Sequence, residues 1–277
     1  MKLYNSLAPQ HAESTRKTRH PLKYLSHLAV AVGLTITLAG NQAIAEPSHP
    51  PVHNIVLVHG ALMDGSSWSP VITRLQKMGY HVTAVQNHLV SLADDVSSTE
   101  RVLKRQDGDV LLVGHSWGGV VITQAGNAAN VKGLVYLTAM APDSGESMLD
   151  LLKRLNAPMN GVSPDADGLI WMDNVEQFHQ FMAADVPLGK VRELIATQQP
   201  IAAASMAEKV QHAAWHDKPS WYLQATNDKA IVPAVQQTMA QQLGAKITPV
   251  RSSHMVMISH PEAVADLIDR AAKETAR

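Results

Sequence analysis

The sequence predicts an α/β fold: a mostly parallel sheet of about six strands with helices on both faces, and a helical cap inserted between two strands. Three observations carry this prediction. Short apolar, β-branched runs alternate with stretches whose apolar residues recur at helical spacing. One of those runs turns at once into a helix through Gly114-His115-Ser116-Trp117-Gly118. Residues 143–216 break the alternation and hold no evident strand.

Residues 1–45 stand apart from the part that folds. Lys2, Arg16, Lys17, Arg19 and Lys23 make a basic leader with one acid, Glu13. Residues 25–38 are mostly apolar, and Ala43-Ile44-Ala45 is a small-x-small site before Glu46. This is the layout of a secretory signal peptide, so cleavage and export, to a periplasm or out of the cell, are expected. The apolar run is shorter than the ~20 residues of a spanning helix, so no stable membrane anchor is expected afterwards.

The whole chain of 277 residues carries 23 Lys and Arg against 24 Asp and Glu. The leader takes five of the bases and one of the acids, which leaves 18 against 23 and a net charge of about −5. That surface offers no footprint for nucleic acid or anionic membrane. With no cysteine, disulfides, a thiol nucleophile and lipid-modified cysteine are excluded. No His-Glu-x-x-His spacing offers a zinc site. At 45% hydrophobic and 17% charged, the chain has the apolar material for one or at most two domains with a sizeable core.

Taken in order, Pro47, Pro50 and Pro51 make an extended linker, and residues 55–58 a buried strand. The strand runs into His59-Gly60-Ala61-Leu62, where Gly60 and Gly65 let the loop fold back toward the Ser116 turn. His59 is read as structural, orienting that loop. Residues 68–78 form a helix (Val71, Ile72, Leu75, Met78), stopped by Gly79. Residues 81–85 alternate as a strand, and 93–105 are helical with charges on the outer face. The strand at 110–113, the Ser116 turn with its helix from Val120, and a strand at 131–138 follow.

Gly114-His115-Ser116-Trp117-Gly118 matches the G-x-S-x-G nucleophile elbow. A strand turning directly into a helix forces its central residue into a strained conformation, and glycines two residues to either side let backbone pass without a Cβ clash. The serine hydroxyl is then lifted clear of the sheet at the positive end of the helix. The backbone N–H of Trp117, with that of Ala61 or Leu62, can receive a developing oxyanion.

Residues 143–216, punctuated by Pro158, Pro164 and Pro187 and preceded by Pro142, form the predicted helical cap. Residues 46–142 and 217–277 form the core around it. Met148, Met159, Met172, Met182 and Met206, with Trp171, Phe178, Phe181 and Trp215, either line an apolar pocket or hold the cap helices together. Beyond the cap come a strand at 221–226, a loop at 227–233 and a helix at 234–243. A strand at 246–250, a loop at 252–257 and a helix at 262–273 close the chain.

An elbow serine needs a base within ~3 Å, and the imidazole needs a carboxylate to hold its tautomer. In chain order Ser, Asp, His, each on a loop after a strand, Asp228 and His254 meet this need. Asp143, also just beyond a strand end, is the competing acid.

From Asn54 to the C-terminus the chain resembles the α/β-hydrolase superfamily. His-Gly-Ala at 59–61, Gly-His-Ser-Trp-Gly-Gly at 114–119 and Ser-His-Met-Val-Met at 253–257 are similar to the branch of plant methyl esterases and hydroxynitrile lyases. Lyases of that branch carry threonine where this chain has Gly60 and lysine where it has Met255, so the resemblance implies the esterase side. It also implies that the two extra N-terminal strands of larger members are absent.

The expected function is that of a serine hydrolase cleaving a small, apolar or aromatic ester through Ser116, His254 and Asp228, with an acyl-enzyme and no cofactor or metal. Other triad chemistry (C–C or amide hydrolysis, a lyase or a perhydrolase) and a non-catalytic periplasmic binding protein are the alternatives. The residues do not fix an oligomeric state.

Overall fold

The first strand, β1 (Asn54–Val58), is buried along its whole length and lies inside the sheet. The computed structural model describes residues 52–157, 159 and 162–275. The predicted signal peptide, the linker prolines and Pro158 lie outside the described residues.

A 3₁₀ turn at Gly65–Trp68 leads into α1 (Ser69–Lys77), then β2 (His81–Ala84) and α2 (Leu92–Leu103). β3 (Val110–His115), α3 (Trp117–Ala125) and β4 (Val131–Leu137) carry the chain to residue 137. The intervening segment holds α4 (Met148–Arg154), β5 (Leu169–Ile170), α5 (Val175–Phe181), α6 (Leu188–Ala196) and β6 (Ile201–Ala202). The alternation resumes with β7 (Ser220–Ala225), α7 (Pro233–Gln242), β8 (Lys246–Val250), α8 (Val256–Ser259) and α9 (Pro261–Thr275).

Six strands pair in parallel in the order β2-β1-β3-β4-β7-β8. Alternate residues feed two separate cores: Val56, Val58, Val110 and Leu112 face one, Ile55, Leu57, Leu111 and Val113 the other. α2, α3 and α7 cover the first face, α1 and α9 the second. The chain leaves β1 toward β2 and returns to the other side as β3, so the strand order reverses between β1 and β3. In open α/β sheets the crevice at such a switch point is where ligands bind.

The predicted strands and core helices all form, with ends shifted by at most three residues, and the loop expected over 252–257 turns into α8 at Val256. Two expectations need correction. The segment after β4 does hold strands, the two-residue pair β5 and β6, joined antiparallel at Leu169–Ala202 and Ile170–Ile201. Runs that short carry no periodicity. The charges of α2 do not all face outward, since Asp95 is fully buried. It lies on the same stripe as Leu92, Val96, Thr99 and Leu103, the i, i+3, i+4 spacing that points inward.

Candidate active site

Ser116 sits between β3 and α3 at φ 51° and ψ −119°, a conformation rarely adopted by a side-chain-bearing residue. The turn is close because its neighbours lack Cβ atoms. A Cβ on Gly114 would stand 2.5 Å from the Gly118 carbonyl oxygen, one on Gly118 2.4 Å from that of Val58, and one on Gly119 2.3 Å from that of Met140. Within residues 111–120 Ser116 alone keeps partial exposure. Trp117 is the first residue of α3, a position whose N–H has no intrahelical acceptor.

His254 lies just after β8, and its Nδ1–H donates to Asp228 Oδ2 at 2.7 Å. Both side chains are buried. The bond sets the imidazole tautomer and leaves the lone pair on Nε2. Asp228 is fully satisfied: Oδ1 accepts the N–H groups of Ala230 (2.8 Å) and Ile231 (3.0 Å), and Oδ2 also accepts Gln236 Nε2–H (2.8 Å). Gln236 in turn gives Nε2–H to the Ile231 carbonyl (2.6 Å) and takes the Ala225 N–H (3.0 Å). Thr138, at the end of β4 with φ 41°, brings Oγ1 within 3.4 Å of His254 Nδ1.

Ala61, Leu62, Ser116, Trp117 and His254 line one cavity of about 360 Å³. The rest of its wall is almost wholly apolar, including Met140, Met148, Met159, Met172, Met182, Met206 and Phe181. Five of these methionines are those singled out from the sequence. The other candidates diverge: Phe178 packs in the core, Trp171 is 41% exposed, and Trp215 donates its indole N–H to the Pro142 carbonyl at 3.0 Å. The inserted segment also grips the histidine loop. Asp185 accepts the Ser253 N–H and hydroxyl, and the Met182 carbonyl accepts the Met255 N–H at 3.1 Å.

Asp143 belongs elsewhere, accepting from His216 Nε2 at 2.7 Å. His212, four residues before His216, takes Asp217 at 2.6 Å, so each of this spaced pair has its own carboxylate. No group of three or more side chains able to hold a metal converges among the described residues. His59 is held in place as a structural residue: Nε2 accepts the Asn87 N–H at 3.0 Å and Nδ1 meets the Gly60 carbonyl at 2.8 Å. Burial lowers its pKa from the ordinary histidine value. Asp95, Gln236 and Thr138 were not singled out from the sequence. The only signal for the first two was a polar residue on an otherwise apolar helix stripe.

A family model described as "Alpha/beta hydrolase family" matches residues 55–267. An alpha/beta hydrolase of Aspergillus novofumigatus is 27% identical over 79% of this chain and 96% of its own length. A pyrethroid hydrolase of Sphingobium wenxiniae is 27% identical over 78% and 86%. A putative methylesterase of Arabidopsis thaliana is 25% identical over 78% and 63%. Among solved structures, a pyrethroid hydrolase superposes with a TM-score of 0.70 at 22% identity, covering 82% of this chain and 99% of that one. An extracellular hydrolase from a Paenibacillus species gives 0.67 at 24%, covering 80% and 99%. These likenesses fall where the sequence pointed.

Proposed function

Since the chain belongs to the alpha/beta hydrolase family and is a carboxylesterase-like hydrolase, we propose that it cleaves small apolar or aromatic carboxylic esters through Ser116, His254 and Asp228. The observation that carries this reading is the His254–Asp228 hydrogen bond of 2.7 Å beside a strained serine on the same cavity wall. His254 Nε2 takes the serine proton as Oγ attacks the ester carbonyl. The N–H groups of Trp117 and of Ala61 or Leu62 receive the oxyanion, where one lost donor costs a factor of ~10² to 10³. The alcohol leaves with the proton from His254, and water then hydrolyses the acyl-enzyme.

The substrate class follows from the cavity wall. Its methionines adapt to irregular apolar shapes, and a relative named as a pyrethroid hydrolase is in keeping with an apolar or aromatic ester. Export through residues 1–45 is part of the same proposal. The test is hydrolysis of p-nitrophenyl esters from acetate to decanoate by the wild type and Ser116→Ala, with labelling of Ser116 by a fluorophosphonate. Activity that vanishes in the mutant supports the reading. Equal activity in both proteins overturns it, and a protein that neither hydrolyses esters nor takes the label is a binding protein.

A further inference from the structure

Asp95 is a carboxylate with no exposure beneath the Ser116 turn. Its Oδ2 accepts the indole N–H of Trp117 at 2.8 Å, and its Oδ1 accepts the backbone N–H of Leu89 at 2.9 Å. Leu89 is itself held at φ 59°, and its carbonyl accepts the Ala202 N–H of β6 at 2.8 Å. One carboxylate thus joins the first residue of α3 to a turn that grips the inserted segment.

A buried carboxylate is a costly way to fill space, and an apolar pair of the same volume is often at least as stable. Burial accordingly pushes the Asp95 carboxyl above its ordinary pKa. What the pair supplies is direction. Gly118 and Gly119 pack directly against the backbone of Val58 and Met140, so the first turn of α3 has one large side chain, the Trp117 indole. A charge-assisted hydrogen bond to Asp95 fixes that indole from the α2 side.

We propose that Asp95 is a positioning residue: by holding the Trp117 indole and the Leu89 N–H on its two oxygens, it aims the Trp117 backbone N–H at the oxyanion and ties that aim to the seating of the cap at Ala202. The inference rests on the serine hydrolase reading above.

The test uses the full chain with p-nitrophenyl acetate as substrate and 1,1,1-trifluorooctan-2-one as an oxyanion-forming inhibitor. Trp117→Phe and Asp95→Ala each lower kcat roughly tenfold, a part of what losing a donor outright costs. Each weakens the ketone by the same factor and leaves KM within about twofold. The double variant is no worse than either single one, and Asp95→Asn, which keeps one acceptor, falls between. Ala202 has φ −67°, which proline adopts, so Ala202→Pro keeps the backbone torsion while it removes the N–H and sets a ring carbon against the Leu89 carbonyl, which breaks this tie. It lowers kcat roughly threefold in the wild type and not in Trp117→Phe. Folded Trp117→Phe with wild-type kcat and ketone affinity, or losses that simply add, overturns the proposal, and this variant decides should Asp95→Ala fail to fold. If Ser116→Ala is dead while Trp117→Phe is normal, only this inference falls. If Ser116→Ala stays active, the underlying reading falls with it.

Discussion

His115 donates its Nε2–H to the backbone carbonyl of His254 across 2.9 Å, so the residue before the serine clamps the residue proposed as its base. The two rings lie 4.7 Å apart, and His115 Nδ1 has no hydrogen-bond partner among the described residues. Burial, then the neighbouring His254, holds the His115 pKa well below the ordinary histidine value. The unfolded chain therefore takes up this proton first as pH falls. Stability from this group is whole above about pH 6.5 and is lost below it, by up to about 1.4 kcal/mol per pH unit. Denaturant unfolding at pH 7.5, 6.5 and 5.5 should show this slope. His115→Gln keeps a donor without the titration and should be shallower by that amount. His59, also lowered, still contributes in the variant.

Strain at Ser116 gives a second prediction. Its φ of 51° is penalised for serine and open to glycine. Ser116→Gly should abolish ester hydrolysis and raise the unfolding free energy by about 1 kcal/mol, the relief of ~1–3 kcal/mol less the added chain entropy of glycine. Thermal unfolding beside the activity assay checks both, and a destabilised variant would mean the turn is not strained.

The two candidate acids are separated by one pair of substitutions. Asp228→Asn should lower kcat by ~10⁴, because the amide cannot hold the Nδ1–H tautomer of His254. Asp143 pairs with His216 on the surface, so Asp143→Asn should leave kcat within about twofold, as for most exposed changes. The opposite pattern would move the acid to the end of β4.

How much of this was legible depends on which residues carried a pattern. Strands β1, β3 and β4 read directly because they are buried over nearly all of their length and dominated by apolar residues. Ser116, Asp228 and His254 stand out as candidates because order and strand-end placement constrain them jointly, and the fold brings Asp228 within 2.7 Å of His254. Asp95 and Gln236 did not, because a charge or amide within a helix suggests solvent until the opposite face is known. Between β4 and β7, short helices with local caps such as the Ser147–Asp150 box leave little period to measure. Methionines there read as a class, while Trp171 and Trp215 turned away from the cavity for reasons of packing that no spacing encodes.

Two glycines near the serine predict different failures. A Cβ on Gly60 would stand 2.8 Å from Ser116 Cβ and 3.0 Å from His115 Nδ1, with the nearest backbone atom, the His115 carbonyl oxygen, at 3.1 Å. One on Gly118 would meet the carbonyl oxygens of Val58 at 2.4 Å and His59 at 2.9 Å, backbone that cannot yield. Gly118→Ala should therefore cost stability, about 1–3 kcal/mol as for overpacked cores. Gly60→Ala should spare most of the stability but displace the serine and the Ala61–Leu62 amides, costing ~10² in kcat, as a 1 Å misplacement does. Unfolding curves and single-turnover acylation of both variants check this. Equal stability loss in the two would mean that the Gly60 loop is as rigid as the strand and has no freedom to shift.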